Sequence, residues 1–254
     1  MFDPVPRTVL ITGAARRIGR ALALRLGQSG WRVAVHFNTS QDEAEDVARH
    51  IRAAGSEACV LDADLGREAE VQRLVERATA ALGPVGCLIN NASLFESDDA
   101  LTATRESWDA HLETNLRAPF VLTQNLARAL PASAQGVVIN LLDERVWNLT
   151  PYFVSYTLSK SALWTLTRTM AMALAPRIRV NAIGPGPALP SPRQSQAQFD
   201  AQCAAMPLGR GTTPEEICRT AQFILDAPSL TGQMIALDGG QHLGWALGGT
   251  PPDE

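Results

Sequence analysis

Tyr156 and Lys160 stand four residues apart within Ser155 to Leu174, a run rich in helix formers, so a helix there carries both side chains on one face. A phenol is a useful acid near neutral pH only when its phenolate is stabilised, and an adjacent ammonium does that. The composition sharpens the pairing: of 22 basic residues 21 are arginine, and Lys160 is the only lysine. A lysine placed at random would follow one of the two tyrosines by four residues in about 2 of 254 positions, so chance is a poor account. An ordinary i,i+4 surface pair is the competing reading.

A second cluster lies near the start, in Thr12-Gly13-Ala14-Ala15-Arg16-Arg17-Ile18-Gly19, between an apolar run and a helical one. Glycine at a strand-to-helix turn lets backbone amides approach a pyrophosphate, and the helix N-terminus adds the positive end of a dipole. Gly13 and Gly19 serve a tight turn and close helix packing equally well, but adjacent Arg16 and Arg17 at an amide-lined turn call for an anion. The next run ends at His36-Phe37-Asn38-Thr39-Ser40, where an NAD-selective protein usually places an acid for the ribose 2′-hydroxyl, and here no acid precedes Asp42. A neutral, hydroxyl-bearing turn beside two arginines suits a 2′-phosphate, which makes NADPH the expected cofactor. Ser40 either belongs to that turn or caps the following helix.

The elements that must position these residues alternate. Strands are expected at Val9 to Thr12, Arg32 to Phe37, Ala58 to Leu61, Cys87 to Asn90, Val137 to Leu142, Arg179 to Ile183 and Met234 to Leu237. Helices are expected near Arg17 to Ser29, Gln41 to Ala54, Arg67 to Leu82, Arg105 to Leu130, Ser155 to Leu174 and Pro214 to Leu225, with capping boxes at Ser40/Glu43 and Thr213/Glu216. The pattern implies an α/β fold: one doubly wound Rossmann domain over residues 1–254, with a seven-stranded parallel sheet and helices on both faces. Gly184 to Gln198 is rich in proline and small polar residues and reads as part of a mobile substrate loop over about 185–206; the tail at about 248–254 reads as frayed.

Composition removes several function classes. A net charge of −4 offers no global field for nucleic acid or anionic lipid. Cys59, Cys87, Cys203 and Cys218 are far apart, as are the four histidines, so free thiols and no metal site are expected. Met1 to Pro6 lacks a basic-then-apolar signal pattern, and no apolar run approaches the ~20 residues that span a bilayer. A cytoplasmic protein acting on a small molecule is the expectation, with no nucleic-acid or membrane partner.

From Val9 to about Gly240 the chain resembles the short-chain dehydrogenase/reductase family. The glycine turn, Asp64-Leu65, Asn90-Asn91-Ala92, Asn115, Tyr156 with Lys160, Asn181, Pro185-Gly186 and Asp238-Gly239-Gly240 occur in that family's order. The resemblance implies that Asp64 and Leu65 border the adenine, that Asn91 and Ala92 flank the nicotinamide ribose, and that Lys160 holds the ribose hydroxyls. It also puts Ser93, Tyr156, Pro185 and Gly186 on the cofactor, beside Gly13, Arg16, Arg17, Ile18, Gly19, His36, Asn38, Thr39 and Ser40. Asn115 would hold a water that relays protons to Lys160, or simply satisfy helix backbone. Family members usually form dimers or tetramers through their two long helices. Apolar Leu116, Phe120, Leu163, Trp164, Leu166 and Met170 fit such an interface and fit a core nearly as well.

Three departures from the commonest family pattern coincide. Arg17 replaces the middle glycine of the turn, Ser93 the glycine after Asn-Asn-Ala, and Asp143 the catalytic serine 13 residues before the tyrosine. All three resemble the pteridine reductase branch, as do Phe95 and the His36 to Ser40 turn. The resemblance puts Arg17 on both cofactor phosphate and pterin, and Phe95 in a stack of pterin on nicotinamide. It also assigns Ser93, Asp143 and Tyr156 to substrate. Thr39 departs from the arginine common there. Physics points the same way: a carboxylate beside a carbonyl under reduction repels the developing alkoxide, whereas pterin amino and ring N–H groups can donate to it. Asp143 with Tyr156 would then supply the proton at ring nitrogen.

The expected activity is therefore NADPH-dependent reduction of a dihydropterin or dihydrofolate-like ring. A carbonyl or 3-oxoacyl reductase is the alternative, and a non-catalytic NADPH-binding protein the second alternative. NADPH should be preferred to NADH, and comparable kcat/KM for the two would refute this. Arg17→Gly should weaken NADPH more than NADH in the same assay.

Overall fold

The computed structural model describes residues 3–191 and 193–244. The seven strands are β1 (Thr8–Ile11), β2 (Arg32–Phe37), β3 (Ala58–Asp62), β4 (Cys87–Asn90), β5 (Gly136–Leu141), β6 (Ile178–Pro185) and β7 (Met234–Leu237). They form one sheet in the order β3-β2-β1-β4-β5-β6-β7, with every neighbouring pair parallel. Alternate residues of each strand face opposite ways, so the sheet feeds two cores. Val9, Ile11, Val33 and Val35 pack on α1 (Arg17–Gln28), α2 (Gln41–Ala53) and α8 (Pro214–Asp226). Leu10, Ala34, Leu88 and Val138 pack on α3 (Glu68–Leu82), α5 (Ala118–Ala129) and the end of α6 (Val154–Leu174). Fully burying a Val, Leu or Ile side chain contributes about 2 kcal/mol. No helix among the described residues is long and apolar enough to cross a membrane.

The helix expected from Arg105 to Leu130 is divided. α4 (Arg105–Leu112) passes into a π-helical turn, Glu113–Arg117, before α5 begins. Pro119 supplies the reason: it has no N–H to reach the Asn115 carbonyl four residues back, and the Ala118 N–H bonds Glu113 five residues back instead. The loop expected over about 185–206 contains α7 (Gln196–Ala204), opened by a reciprocal Ser195/Gln198 capping box that the proline-rich composition obscured. Thr213 and Glu216 form the expected box, but Ser40 makes no side-chain cap bond, its backbone at φ −101°, ψ 59° lying outside the extended conformation of Thr213, and the Glu43 carboxylate pairs with Arg16 at 2.8 Å instead of reaching back. Leu163 is buried in the core; Leu116, Phe120, Trp164, Leu166 and Met170 are partly buried. The tail expected to fray lies outside the described residues.

The connections of β1 and β4 leave on opposite sides of the sheet, opening a crevice at their C-terminal ends. The backbone there is tied across the gap. Thr12 Oγ1 accepts from the N–H groups of Asn91 and Ala92, both at 3.0 Å, and Asn91 Nδ2 donates to the carbonyls of Thr12 and Gly13. His36, expected on the cofactor, is instead buried beneath the turn. Its Nδ1 accepts from the Gly13 N–H at 3.0 Å, which leaves Nε2 to donate to the Ala63 carbonyl at 3.1 Å. Burial lowers its pKa from 6.5 to about 4.

Between those values an unfolded chain takes up a proton that the folded one refuses, so stability falls as pH drops from about 6.5 toward 4. The full effect is on the order of 3 kcal/mol. Urea midpoints for wild type should decline over this window, and those of His36→Gln should decline less. Parallel declines would remove His36 as the cause.

Candidate active site

Gly13, Arg16, Arg17, Ile18, Gly19, Asn38, Thr39, Ser40, Asn91, Ala92 and Ser93 line one groove of about 360 Å³ at the crevice. Gly13 has φ +62°, and a Cβ on Gly19 would sit 2.1 Å from the Gly13 carbonyl oxygen, so the turn admits neither side chain. No side chain caps α1 and no acid occupies its first turn, so its amides face the groove with the positive end of the helix dipole. Such a cradle fits a pyrophosphate, and Arg16 at its edge is exposed enough to exchange Glu43 for a phosphate. Asp64 and Leu65 do not line the groove. Asp64 caps the Gly66 N–H at 2.9 Å and pairs with Arg67, while Leu65 is buried.

Next to the groove is a cleft of about 290 Å³ whose wall holds Arg17, Ser93, Phe95, Asp143, Tyr156, Pro185 and Gly186. The segment after β6 crosses over it and is held by two arginines. Arg17, at the left-handed φ of 52°, donates to the carbonyls of Leu189 and Pro190 at 3.2 and 2.8 Å. Arg193 donates to Glu96 and to the Phe95 carbonyl, both at 2.7 Å. The Phe95 ring stacks on Phe153, with centroids 4.5 Å apart, and meets Tyr156 edge-on at 4.7 Å. The Arg145 guanidinium lies over both phenylalanine rings.

Tyr156 and Asp143 meet in this cleft: Tyr156 Oη donates to Asp143 Oδ2 at 2.7 Å. Burial, then the Asp143 charge and this bond, push the phenol pKa well above its usual value. Lys160, 2% exposed, donates from Nζ to the Leu141 carbonyl at 2.8 Å and lies 5.9 Å from the Tyr156 ring centre. Burial lowers its pKa to about 8, partly opposed by Asp143. Asn115 is fully buried in the π turn. Its Oδ1 accepts from the Leu94 N–H, and its Nδ2 donates to the Leu94 carbonyl and to Ser159 Oγ at 3.0 Å. It clamps the β4 loop to α6 through Leu94 and Ser159 rather than reaching Lys160.

Two groups without a motif to mark them fix the start of α6. Phe153 adopts a left-handed φ of 56° just before the helix, a conformation costing about 1–2 kcal/mol, and offers no side-chain cap. Asp98 supplies the missing cap from 57 residues away: its carboxylate accepts from the Ser155 N–H and hydroxyl, and its carbonyl accepts from the Phe153 N–H. His111 is buried beside them, 2.7 Å from Ser155 Oγ, and accepts from the Glu96 N–H at 3.1 Å. Only a buried histidine and aspartate distinguish these residues, and burial is invisible in a single sequence.

The family model for short chain dehydrogenase matches residues 7–200. The chain belongs to that family. Among solved structures it is similar to an alternative dihydrofolate reductase 1 from Brucella canis, complexed with NADP, with 46% identity, 97% of this chain and 98% of the other covered, and a TM-score of 0.91. The corresponding reductase from Brucella suis, also with NADP, is 48% identical, with 94% and 96% coverage and a TM-score of 0.89. A curated relative, the 3-oxoacyl-(acyl-carrier-protein) reductase of Staphylococcus epidermidis, is 31% identical over 242 residues, covering 93% of this chain and 99% of its own.

Lys160 has one carbonyl partner in a closed space, so Lys160→Arg keeps the charge but replaces a compact ammonium by a planar fork that does not fit. Steady-state turnover should fall by on the order of 10² or more. Turnover near wild type would remove the assigned role.

Proposed function

We propose that the protein is an NADPH-dependent reductase of a pterin-type ring, a dihydropterin or a dihydrofolate-like substrate. The observation that carries this reading is the 2.7 Å bond from Tyr156 Oη to Asp143 Oδ2 in a cleft edged by Phe95 and Arg17. A ketone reductase needs donors alone at the oxygen that becomes an alkoxide, whereas here a carboxylate faces that position. A pterin brings its own N–H donors, which Asp143 accepts, and its ring nitrogen takes a proton from Tyr156. The likeness to two NADP-bound alternative dihydrofolate reductases over nearly the whole chain supports the same substrate class.

The groove suits NADPH: the amides of the glycine turn and α1 would hold its pyrophosphate, and Arg16, Arg17, Asn38, Thr39 and Ser40 would serve its 2′-phosphate. When bound, it supplies the hydride. Lys160, drawn toward neutral pH by burial, positions ribose hydroxyls and stabilises the phenolate left after proton transfer. Phe95 provides an apolar face for a flat ring, and Ser93 a hydroxyl at its edge. Asn115 shapes the pocket through Leu94 and Ser159. The reading extends to a cytoplasmic homodimer or homotetramer, supported by the 75%-exposed Met172 and 45%-exposed Leu158 on α6.

The 3-oxoacyl reductase reading draws on the 31% identical relative, and one substitution separates the two. Asp143→Ser should lower kcat/KM for a dihydropterin by on the order of 10². The same variant should reduce ketones equally well or better, because serine returns a donor to the oxyanion position. Normal NADPH affinity would show that the variant is folded. Intact pterin turnover would leave Asp143 a bystander and favour the carbonyl reductase.

A further inference from the structure

The cleft beside Tyr156 contains a second carboxyl that the reduction described above does not use. Glu144 opens the 3₁₀ turn Glu144–Val146 directly after Asp143, lines the same cleft and is only 4% exposed. Its Oε2 is sealed from solvent with no hydrogen-bond partner, a state that costs a carboxyl far more than a bonded one. The turn Gln241–Leu243 packs on Glu144–Val146, and Gln241 also lines the cleft. Its Oε1 is buried and unpartnered as well. Two unmet polar groups thus share the wall that holds Asp143 and Tyr156.

We propose that Glu144, with Gln241 beside it, is a specificity-determining residue, its carboxyl pairing with a ring edge of the substrate that carries an N–H donor next to a carbonyl or imine acceptor. This rests on the pterin reading, since the amino-oxo-pyrimidine half of a pterin presents such an edge. The groups facing Glu144 are Asp143, Arg145 and Tyr156 from its own loop and α6, and Asp238, itself bonded to His242, from the end of β7. Burial, followed by the charges of Asp143 and Asp238 and against the pull of Arg145, raises the Glu144 pKa to about 8. At neutral pH the group therefore keeps its proton and offers both an O–H donor and an acceptor oxygen. Asp143 reads donors; Glu144 reads a donor and an acceptor together. Above pH 8 it ionises, loses its donor and places a second negative charge beside Asp143.

The test is steady-state kinetics of the full chain with NADPH and 6-methyl-7,8-dihydropterin, from about pH 6.5 to about 9, with NADPH affinity measured by fluorescence as the check on folding. Wild-type KM should be level below about pH 7.5 and climb beyond 8. Glu144→Leu should raise KM at neutral pH about tenfold, as expected for one lost buried hydrogen bond or more, with kcat within about threefold. Glu144→Gln keeps a donor and an acceptor without titrating, so its KM should stay level across the range while the alkaline limb of kcat, set by Lys160, persists. An unchanged KM in a folded Glu144→Leu overturns the proposal, as does a wild-type rise of KM retained in Glu144→Gln. If Glu144→Leu does not bind NADPH, the Glu144→Gln profile decides alone. A wild-type enzyme that oxidises NADPH with ketones but with no dihydropterin or dihydrofolate overturns the pterin reading itself, a result distinct from any change in KM among the variants.

Discussion

A buried phenol must donate its hydrogen bond to something, and in this protein the acceptor is a carboxylate rather than a hydroxyl. The bond between Tyr156 and Asp143 joins two elements that share no local structure, the start of α6 and the loop after β5. Its length is set by where each element is anchored. α6 is anchored at its start by Asp98, which caps it across 57 residues, and through Ser159 by Asn115. The β5 loop is anchored by the Lys160 ammonium on the Leu141 carbonyl and by Asp143 itself, whose other oxygen accepts from the Arg145 N–H at 2.9 Å. Each tie is a polar group satisfied inside the protein, where an unmet one is costly.

The same economy governs the crevice. β1 and β4 end side by side, and the polar atoms exposed by their diverging chains are met by Thr12, Asn91 and His36. These side chains work beneath the surface, which leaves the α1 amides facing the groove, with Arg16, paired to Glu43, and Arg17, bonded to the Leu189 and Pro190 carbonyls, at its edge. The π turn extends this logic. Pro119 breaks the i→i+4 ladder just after Asn115, whose amide bonds Leu94 and Ser159, so a local defect in the helix coincides with the tie between α6 and the site.

Charge sets the chemistry of the cleft. Asp143, Glu144 and Tyr156 crowd together, and burial drives the last two toward their neutral forms while it lowers Lys160 toward neutral pH. The cleft thus holds a proton on a phenol and another on a carboxyl, within a wall whose Asp143 accepts hydrogen bonds. A flat heterocycle with several N–H groups satisfies that pattern better than an isolated ketone, which offers only acceptors.

The alternation of apolar runs and helical periods was sufficient in sequence for the parallel sheet, because each strand buried on both faces must be almost wholly apolar. Tyr156 with Lys160 and the arginine-bearing glycine turn could be singled out from residue type at short spacing, whereas Asp143 was marked only by the resemblance, as a departure from the commonest family pattern. Other features depend on distance across the chain and were hidden. The Glu43 carboxylate pairs with Arg16 rather than with the start of its own helix, and His36 turned inward because Gly13 and Ala63, from separate loops, offer it a donor and an acceptor. Asp98 and Glu144 look like surface acids in sequence. Only the folded chain, by burying one as a remote helix cap and the other with an unpartnered carboxyl oxygen, decides that they are not.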